Sequence, residues 1–182
     1  VCAERDILLM ADEVQTGVGR TGALYCFMNY GVRPDVLTSA KGLGGGLPIG
    51  ACLCTEKLGA VMGAGMHGST FGGNPVVCAG ALEVLQRVSK EGFLEEVRKK
   101  GEYLCSSLSK LSGITQVRGM GLMLGAALKK GTAKEVAAAC VESGLLVLTA
   151  KDVLRFLPPL VITEEEIDEG ITILQKVLEG ME

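Results

Sequence analysis

VLTSAKGLGGGLPIG, residues 36–50, is the stretch on which the reading of this chain turns. A short apolar run ends at Leu37, polar Thr38 and Ser39 follow, and Lys41 stands just before Gly42, Gly44, Gly45 and Gly46. A lysine at the end of a strand, backed by flexible backbone, is one way to present an amine inside a site. A surface lysine beside a glycine loop fits the same residues, so the flanking sequence has to decide.

Upstream, ILLMA at 7–11 is an apolar run that ends in Asp12-Glu13. It predicts a strand buried on both faces of a parallel sheet. Further strands are expected at 36–39 and 49–55, giving an α/β sheet with its site at the strand C-termini. Downstream, Asn74-Pro75 reads as an N-cap with proline at the first helical position. Val77, Ala81, Val84, Leu85 and Val88 share one face of that helix, and Gly92 stops it. A second helix is expected over 93–111, with Val97, Leu104, Leu108 and Leu111 inward.

Past Gly113 the pattern changes. Strands are predicted at 114–118 and 122–128, joined by Gly119-Met120-Gly121. Thr132 with Glu135 forms a capping box for a helix that Gly144 closes. Strands at 145–148 and 153–157 follow, the second ended by Pro158-Pro159. Thr163 with Glu166 is another capping box, and Ile162 with Ile167 a hydrophobic staple. The last helix turns Ile167, Ile171, Leu174 and Leu178 inward. Two units result: an α/β portion over 1–92 and a smaller α+β portion over 93–182.

Composition sets the outer limits. The chain has 182 residues, 48% of them hydrophobic, and 18 basic against 21 acidic residues for a net charge of −3. That argues for a globular protein and against nucleic acid or an anionic membrane as its main partner. No apolar run is long enough to span a bilayer and no signal peptide is visible. The seven cysteines, mostly among aliphatic residues, read as buried reduced thiols of a cytosolic protein. Cys52-x-Cys54 lacks a second ligand pair and His67 is the single histidine, so no metal site is expected. The chain begins at Val1 and runs almost at once into an apolar strand, which reads as the interior of a longer polypeptide.

Four stretches could carry chemistry. Asp12-Glu13 at a strand end suits the acidic pair of an Mg²⁺-dependent ATPase, but the GxxxxGK[ST] loop that reading needs is absent from these residues. It equally suits a carboxylate facing a cationic ring nitrogen, or two solvated acids. Gly17, Gly19 and Gly22 match GxGxxG only weakly and are read as tight turns. His67-Gly-Ser-Thr-Phe-Gly-Gly-Asn-Pro75 sets two hydroxyls and several amides ahead of a helix N-terminus, where an anion is favoured, although a self-capping polar loop fits as well. Arg155, inside an apolar strand, needs either a structural acid or a substrate carboxylate. Arg118 is read as structural.

DEVQTGVGRTG, LTSAKGLGGGLPIGA, HGSTFGGNP and LRFLPPLVITEEEID occur in the order and spacing of a known family. Together they make the chain resemble the class III aminotransferases of fold type I, most of all the acetylornithine type. The resemblance implies the C-terminal part of the large pyridoxal-phosphate-binding α/β domain, followed by the small α+β domain. It further implies amino-group transfer between N-acetylornithine and 2-oxoglutarate in arginine biosynthesis, with ornithine, succinylornithine or 4-aminobutyrate as alternative donors. The cofactor would be pyridoxal 5′-phosphate.

By the same resemblance Lys41 forms the Schiff base and later moves the α-proton. Asp12 pairs with the pyridine nitrogen, Gln15 lies near the phenolic oxygen, and Glu13 and Val14 complete the cofactor-facing wall. Thr70 binds the cofactor phosphate of the other subunit of a cytoplasmic homodimer with a shared active site. Ser69 lies at the substrate entrance, and Arg155 clamps the α-carboxylate of glutamate or 2-oxoglutarate. The family's own-subunit phosphate loop, ring-stacking aromatic residue and acyl-substrate arginine fall outside these residues. The chain by itself is therefore expected to bind the cofactor poorly and to turn over no substrate.

Overall fold

The computed structural model describes residues 1–181. It divides into two compact units, Val1–Leu94 and Glu95–Glu182.

In the first unit, β1 (Met10–Asp12), β2 (Val36–Ser39) and β3 (Ala51–Cys54) form one sheet in that order. β1 and β2 are parallel, with Met10 opposite Val36 and Asp12 opposite Thr38. The entry to this ladder is clamped at Leu9. Its N–H donates to Asp35 Oδ2 at 2.9 Å, and its carbonyl accepts from the N–H groups of Asp35 and Val36.

Two expectations are corrected here. The sheet is mixed, because β3 runs antiparallel to β2. The glycine-rich connection between them is too short for a parallel crossover, which takes about a dozen residues or more, usually a helix. The apolar run before Asp12 is also shorter as a strand than 7–11 and is not buried. Ile7, Leu8, Leu9 and Met10 are all exposed, Met10 by 67%. β1 is an edge strand, and periodicity alone cannot reveal whether anything covers an apolar edge.

A single helical turn, α1 (Glu56–Gly59), follows β3. α2 (Pro75–Val88) starts where Asn74 Oδ1 accepts from the Val76 and Val77 N–H groups at 3.0 and 3.3 Å. Ala81 and Val88 are buried and Val77, Val84 and Leu85 half-buried, so the expected face is the one that packs. It packs onto the glycine turn after β2. A Cβ on Gly80 would lie 2.7 Å from Leu47 Cδ1, and one on Gly45 2.8 Å from Val84 Cγ2. Close approach of helix to turn thus depends on missing side chains.

The second unit is α+β. α3 (Phe93–Ser109) buries Val97, Leu104 and Leu108, and Leu111 just beyond it. β4 (Ile114–Met120), β5 (Met123–Leu128), β6 (Leu148–Ala150) and β7 (Val153–Phe156) form an antiparallel sheet in the order β4-β5-β7-β6. β4 and β5 join through a tight turn at Gly121-Leu122, with Met120 opposite Met123. Gly119 and Met120 therefore belong to β4 rather than to the connection. α4 (Ala133–Glu142) and α5 (Glu164–Gly180) begin at the two predicted capping boxes, both complete. The strand expected at 145–148 starts later, at Leu148. Leu145 N–H still donates to the Cys140 carbonyl at 2.8 Å, so these residues are finishing the helix end. The core gathers Leu122, Leu124, Ala126, Val136, Cys140, Leu154 and Leu174, each at most 4% exposed.

The cysteine expectation is also corrected. All seven are free thiols, but only Cys140 is buried; Cys52, Cys54 and Cys78 are exposed. They lie on an edge strand and on the outer side of α2, where local apolar neighbours do not guarantee cover.

Candidate active site

The C-terminal ends of β1 and β2 lie side by side, as ends of neighbouring parallel strands do, and the end of such a sheet is where α/β proteins place ligands. Asp12 closes β1. Its Oδ1 accepts two hydrogen bonds, from the Val14 N–H at 3.1 Å and from Thr38 Oγ1 at 2.9 Å. The Val14 N–H first, then the Thr38 hydroxyl, with a smaller part from the positive charge of Lys41, hold this carboxyl below the usual aspartate range. Asp12 is exposed and anionic at neutral pH, with Oδ2 left for a ligand.

Lys41 opens the turn after β2. Ala40 before it is fully extended, at φ −162° and ψ −151°, and Lys41 itself takes φ +47°. A non-glycine residue there sits in a sparsely populated region, a kind of strain that collects at functional sites. The turn is held from beneath by buried Leu43 and Gly44, and its side chain is exposed at the same sheet end as Asp12. An exposed amine and an ionised carboxylate thus share one sheet end, fixed by one pair of neighbouring strands.

Glu13 points elsewhere. It is 3% exposed, and its carboxylate accepts from Thr16 Oγ1, the Cys26 N–H at 2.9 Å and the Phe27 N–H at 2.8 Å. Glu13 therefore ties down the loop that follows it, and its carboxylate is not free to face a cofactor or to position water on a metal. Within that loop Tyr25 Oη donates to the buried Ser39 Oγ at 3.2 Å, and the Tyr25 ring covers Gly17. Val18 is buried at φ +54° against Gly42. Arg20 is half-buried, and burial pulls its guanidinium below its ordinary value. GVGRTG is thus a set of tight turns packed under the lysine turn, as its glycines suggested, and not a dinucleotide loop.

Val14 contributes its N–H to Asp12 and is half-buried; Gln15 beside it is exposed. Ser69 and Thr70 lie in an exposed loop ahead of α2, where the Ser69 carbonyl accepts from the Gly72 N–H at 3.1 Å. Arg155 belongs to the second unit. It sits in the middle of the sheet, opposite Gly125 of β5 and Leu148 of β6, and is half-buried. It lines a cavity of about 310 Å³ with Phe156, Pro158, Ile162 and Ile167. Arg118 is exposed on β4.

The structure therefore joins Asp12 and Val14 by a hydrogen bond and places Lys41 at the same sheet end, where its charge acts on Asp12. Thr38 is the member that sequence reasoning passed over. A threonine in a strand is unremarkable as sequence, and the only signal available was its parallel register with Asp12. Among the described residues no three or more His, Cys, Asp or Glu side chains cluster as metal ligands would. No described helix is long and apolar enough to cross a membrane.

Comparison with known proteins bears on the family. Residues 1–178 match the class-III aminotransferase family. An acetylornithine aminotransferase of Caldanaerobacter subterraneus is 50% identical over 98% of this chain and 46% of its own length. Another from Haemophilus ducreyi is 45% identical over the whole chain and 46% of its own length. Among solved structures, an acetylornithine aminotransferase from Elizabethkingia anophelis superposes with a TM-score of 0.88 at 36% identity, over 98% of this chain and 47% of that one. An ornithine aminotransferase from Toxoplasma gondii, in which PLP partly occupies the active site, gives 0.90 at 34% identity over 99% and 44%. The chain spans about half the length of the curated relatives it matches. With its fold and nearly its whole length matched, the chain belongs to the class-III aminotransferases.

Proposed function

We propose that this chain carries the lysine- and aspartate-bearing part of a pyridoxal 5′-phosphate-dependent aminotransferase that exchanges an amino group between N-acetylornithine and 2-oxoglutarate, a reaction of arginine biosynthesis. The observation that carries the reading is the ionised Asp12 sharing a sheet end with the exposed Lys41 amine. That donor set fits the cofactor: a carboxylate for a cationic ring nitrogen, and a primary amine for a carbonyl carbon. When bound, pyridoxal phosphate would supply the electron sink that makes the substrate α-proton removable.

The residues take these roles. Lys41 Nζ would hold the cofactor and would carry the proton to and from the substrate α-carbon. Asp12 would keep the ring nitrogen protonated, and Gln15 would hydrogen-bond near the phenolic oxygen. Val14 forms wall, while Glu13 serves by anchoring the loop. Thr70 reaches the phosphate held by the second subunit of a homodimer, Ser69 borders the entrance, and Arg155 binds the α-carboxylate of glutamate or 2-oxoglutarate. On this reading residues 1–92 belong to the large cofactor-binding domain and 93–182 form the small one, in a cytoplasmic enzyme.

The acetylornithine assignment is supported by curated relatives of that name at 45–50% identity. Ornithine is the second reading, because ornithine aminotransferases are among the well-matched solved structures, at 34–37% identity. The test is borohydride reduction of the full-length polypeptide with pyridoxal phosphate, followed by peptide mapping and assays with both donors. Label on Lys41 and turnover of N-acetylornithine are expected. Label confined to other lysines, or none, defeats the reading; preference for ornithine selects the second.

A further inference from the structure

We propose that Thr38 is a positioning residue for this reaction: it fixes one oxygen of Asp12, so that the other is presented to the cofactor ring, and ties that carboxylate to the strand that delivers Lys41. The inference deepens the aminotransferase reading and rests on it.

Thr38 grips the end of β1 at two points. Its carbonyl accepts from the Glu13 N–H at 3.0 Å, and its Oγ1 donates to Asp12 Oδ1 at 2.9 Å. The Val14 N–H converges on the same oxygen. A carboxylate that receives both protein donors on Oδ1 has a fixed plane, and Oδ2 is the acceptor left for a ring N–H. Without the hydroxyl, an exposed aspartate held by one backbone amide is free to rotate about its terminal torsion, which is broad and two-fold. Ser39 and Ala40 are extended after Thr38, and Lys41 opens the turn. The residue that orients the acid is therefore three positions from the residue that bears the amine. Any shift of β2 relative to β1 would move the two together.

The hydroxyl also stabilises the charged form of Asp12, second only to the Val14 N–H, and Lys41 is the charged group that acts on it. An ionised, oriented carboxylate is what holds a proton on a ring nitrogen.

The test compares Thr38→Val, which keeps the shape and removes the donor, with Thr38→Ser, which keeps the donor. Both are made in the full-length polypeptide. Pyridoxal-phosphate affinity is measured by equilibrium dialysis, and the pH dependence of the bound cofactor's visible absorbance is recorded. The valine variant should bind the cofactor about tenfold more weakly, the scale of a lost hydrogen bond to a charged group. Its absorbance titration should be displaced, and the serine variant should restore both. If valine binds and titrates as the parent does, the proposal is overturned. Should the valine variant fail to fold by circular dichroism, Thr38→Ala supplies the donor deletion, read against serine in the same way. Failure of the parent to bind the cofactor or to take borohydride label on Lys41 would instead defeat the underlying aminotransferase reading.

Discussion

Asp12 and Lys41 owe their usefulness to different local devices, and each device makes a prediction. Asp12 is anionic because two donors and a nearby cation favour its charge. Its folded pKa lies below 3.8, so its contribution to stability is complete above that value and is lost as pH falls through the lower folded value. Cofactor affinity measured from pH 5 to 8 should show no transition from Asp12. Replacing it with asparagine keeps the shape, removes the charge, and should lower kcat by about a hundredfold or more. Lys41 owes its position to a strained backbone at φ +47°. In thermal or denaturant melts, Lys41→Gly should be about 1 kcal/mol more stable than Lys41→Ala, since glycine alone takes that conformation without a Cβ penalty. Equal stabilities would show that the strain is not there.

At this scale the sequence disclosed the candidate residues but not their orientation. Lys41, Asp12 and Arg155 stand out because charged residues beside glycine or inside apolar runs are conspicuous. Glu13 looks the same as Asp12 on paper, yet it faces the loop, where three donors consume its carboxylate. Thr38 is invisible without the pairing of β1 with β2.

Among elements, helices were the most legible. Caps at Asn74, Thr132 and Thr163 are written locally, in the adjacent Pro75 for the first and in a glutamate three residues on for the other two, and each helix begins where its cap predicts. Strands were less so. β3 reverses direction and β6 starts three residues late, because direction and onset depend on connection length and on how the preceding helix ends. The glycines give the sharpest element-scale prediction. A Cβ on Gly101 in α3 would lie 2.3 Å from the Gly121 carbonyl oxygen at the β4–β5 turn. Gly101→Ala should therefore destabilise by about 3 kcal/mol, the upper range for overpacking, as read by urea denaturation. Gly42→Ala beside Lys41 should be nearly silent in the same assay, since its Cβ would meet Val18 at an ordinary 3.6 Å.

For the whole molecule, the unexpected feature is how much apolar surface faces outward. Phe71 is 84% exposed, Leu146 85% and Val161 69%, in addition to the run from Ile7 to Met10. Composition foretold an apolar chain, but it could not say which of those residues would find cover within 182 positions. A continuous exposed apolar run such as Ile7 to Met10 is the kind of surface that meets other protein. The 182-residue chain alone should bind a hydrophobic dye and self-associate in gel filtration, and it should show no measurable transamination. A dye-silent monomer with robust turnover would contradict both expectations.

The two adjacent acids at the end of β1 have one more consequence. Asp12 and Glu13 face opposite sides of the chain, one toward the amine and one into the loop, and only the pairing of β1 with β2 decides which is which. A slip of one residue in that ladder would swap them, sending the longer carboxylate to the exposed sheet end and the shorter one into a socket built for three donors. The clamp of Leu9 on Asp35 and Val36 guards against that swap. Insertions and deletions between positions 9 and 13, harmless in most edge strands, should therefore be among the least tolerated changes anywhere in the chain.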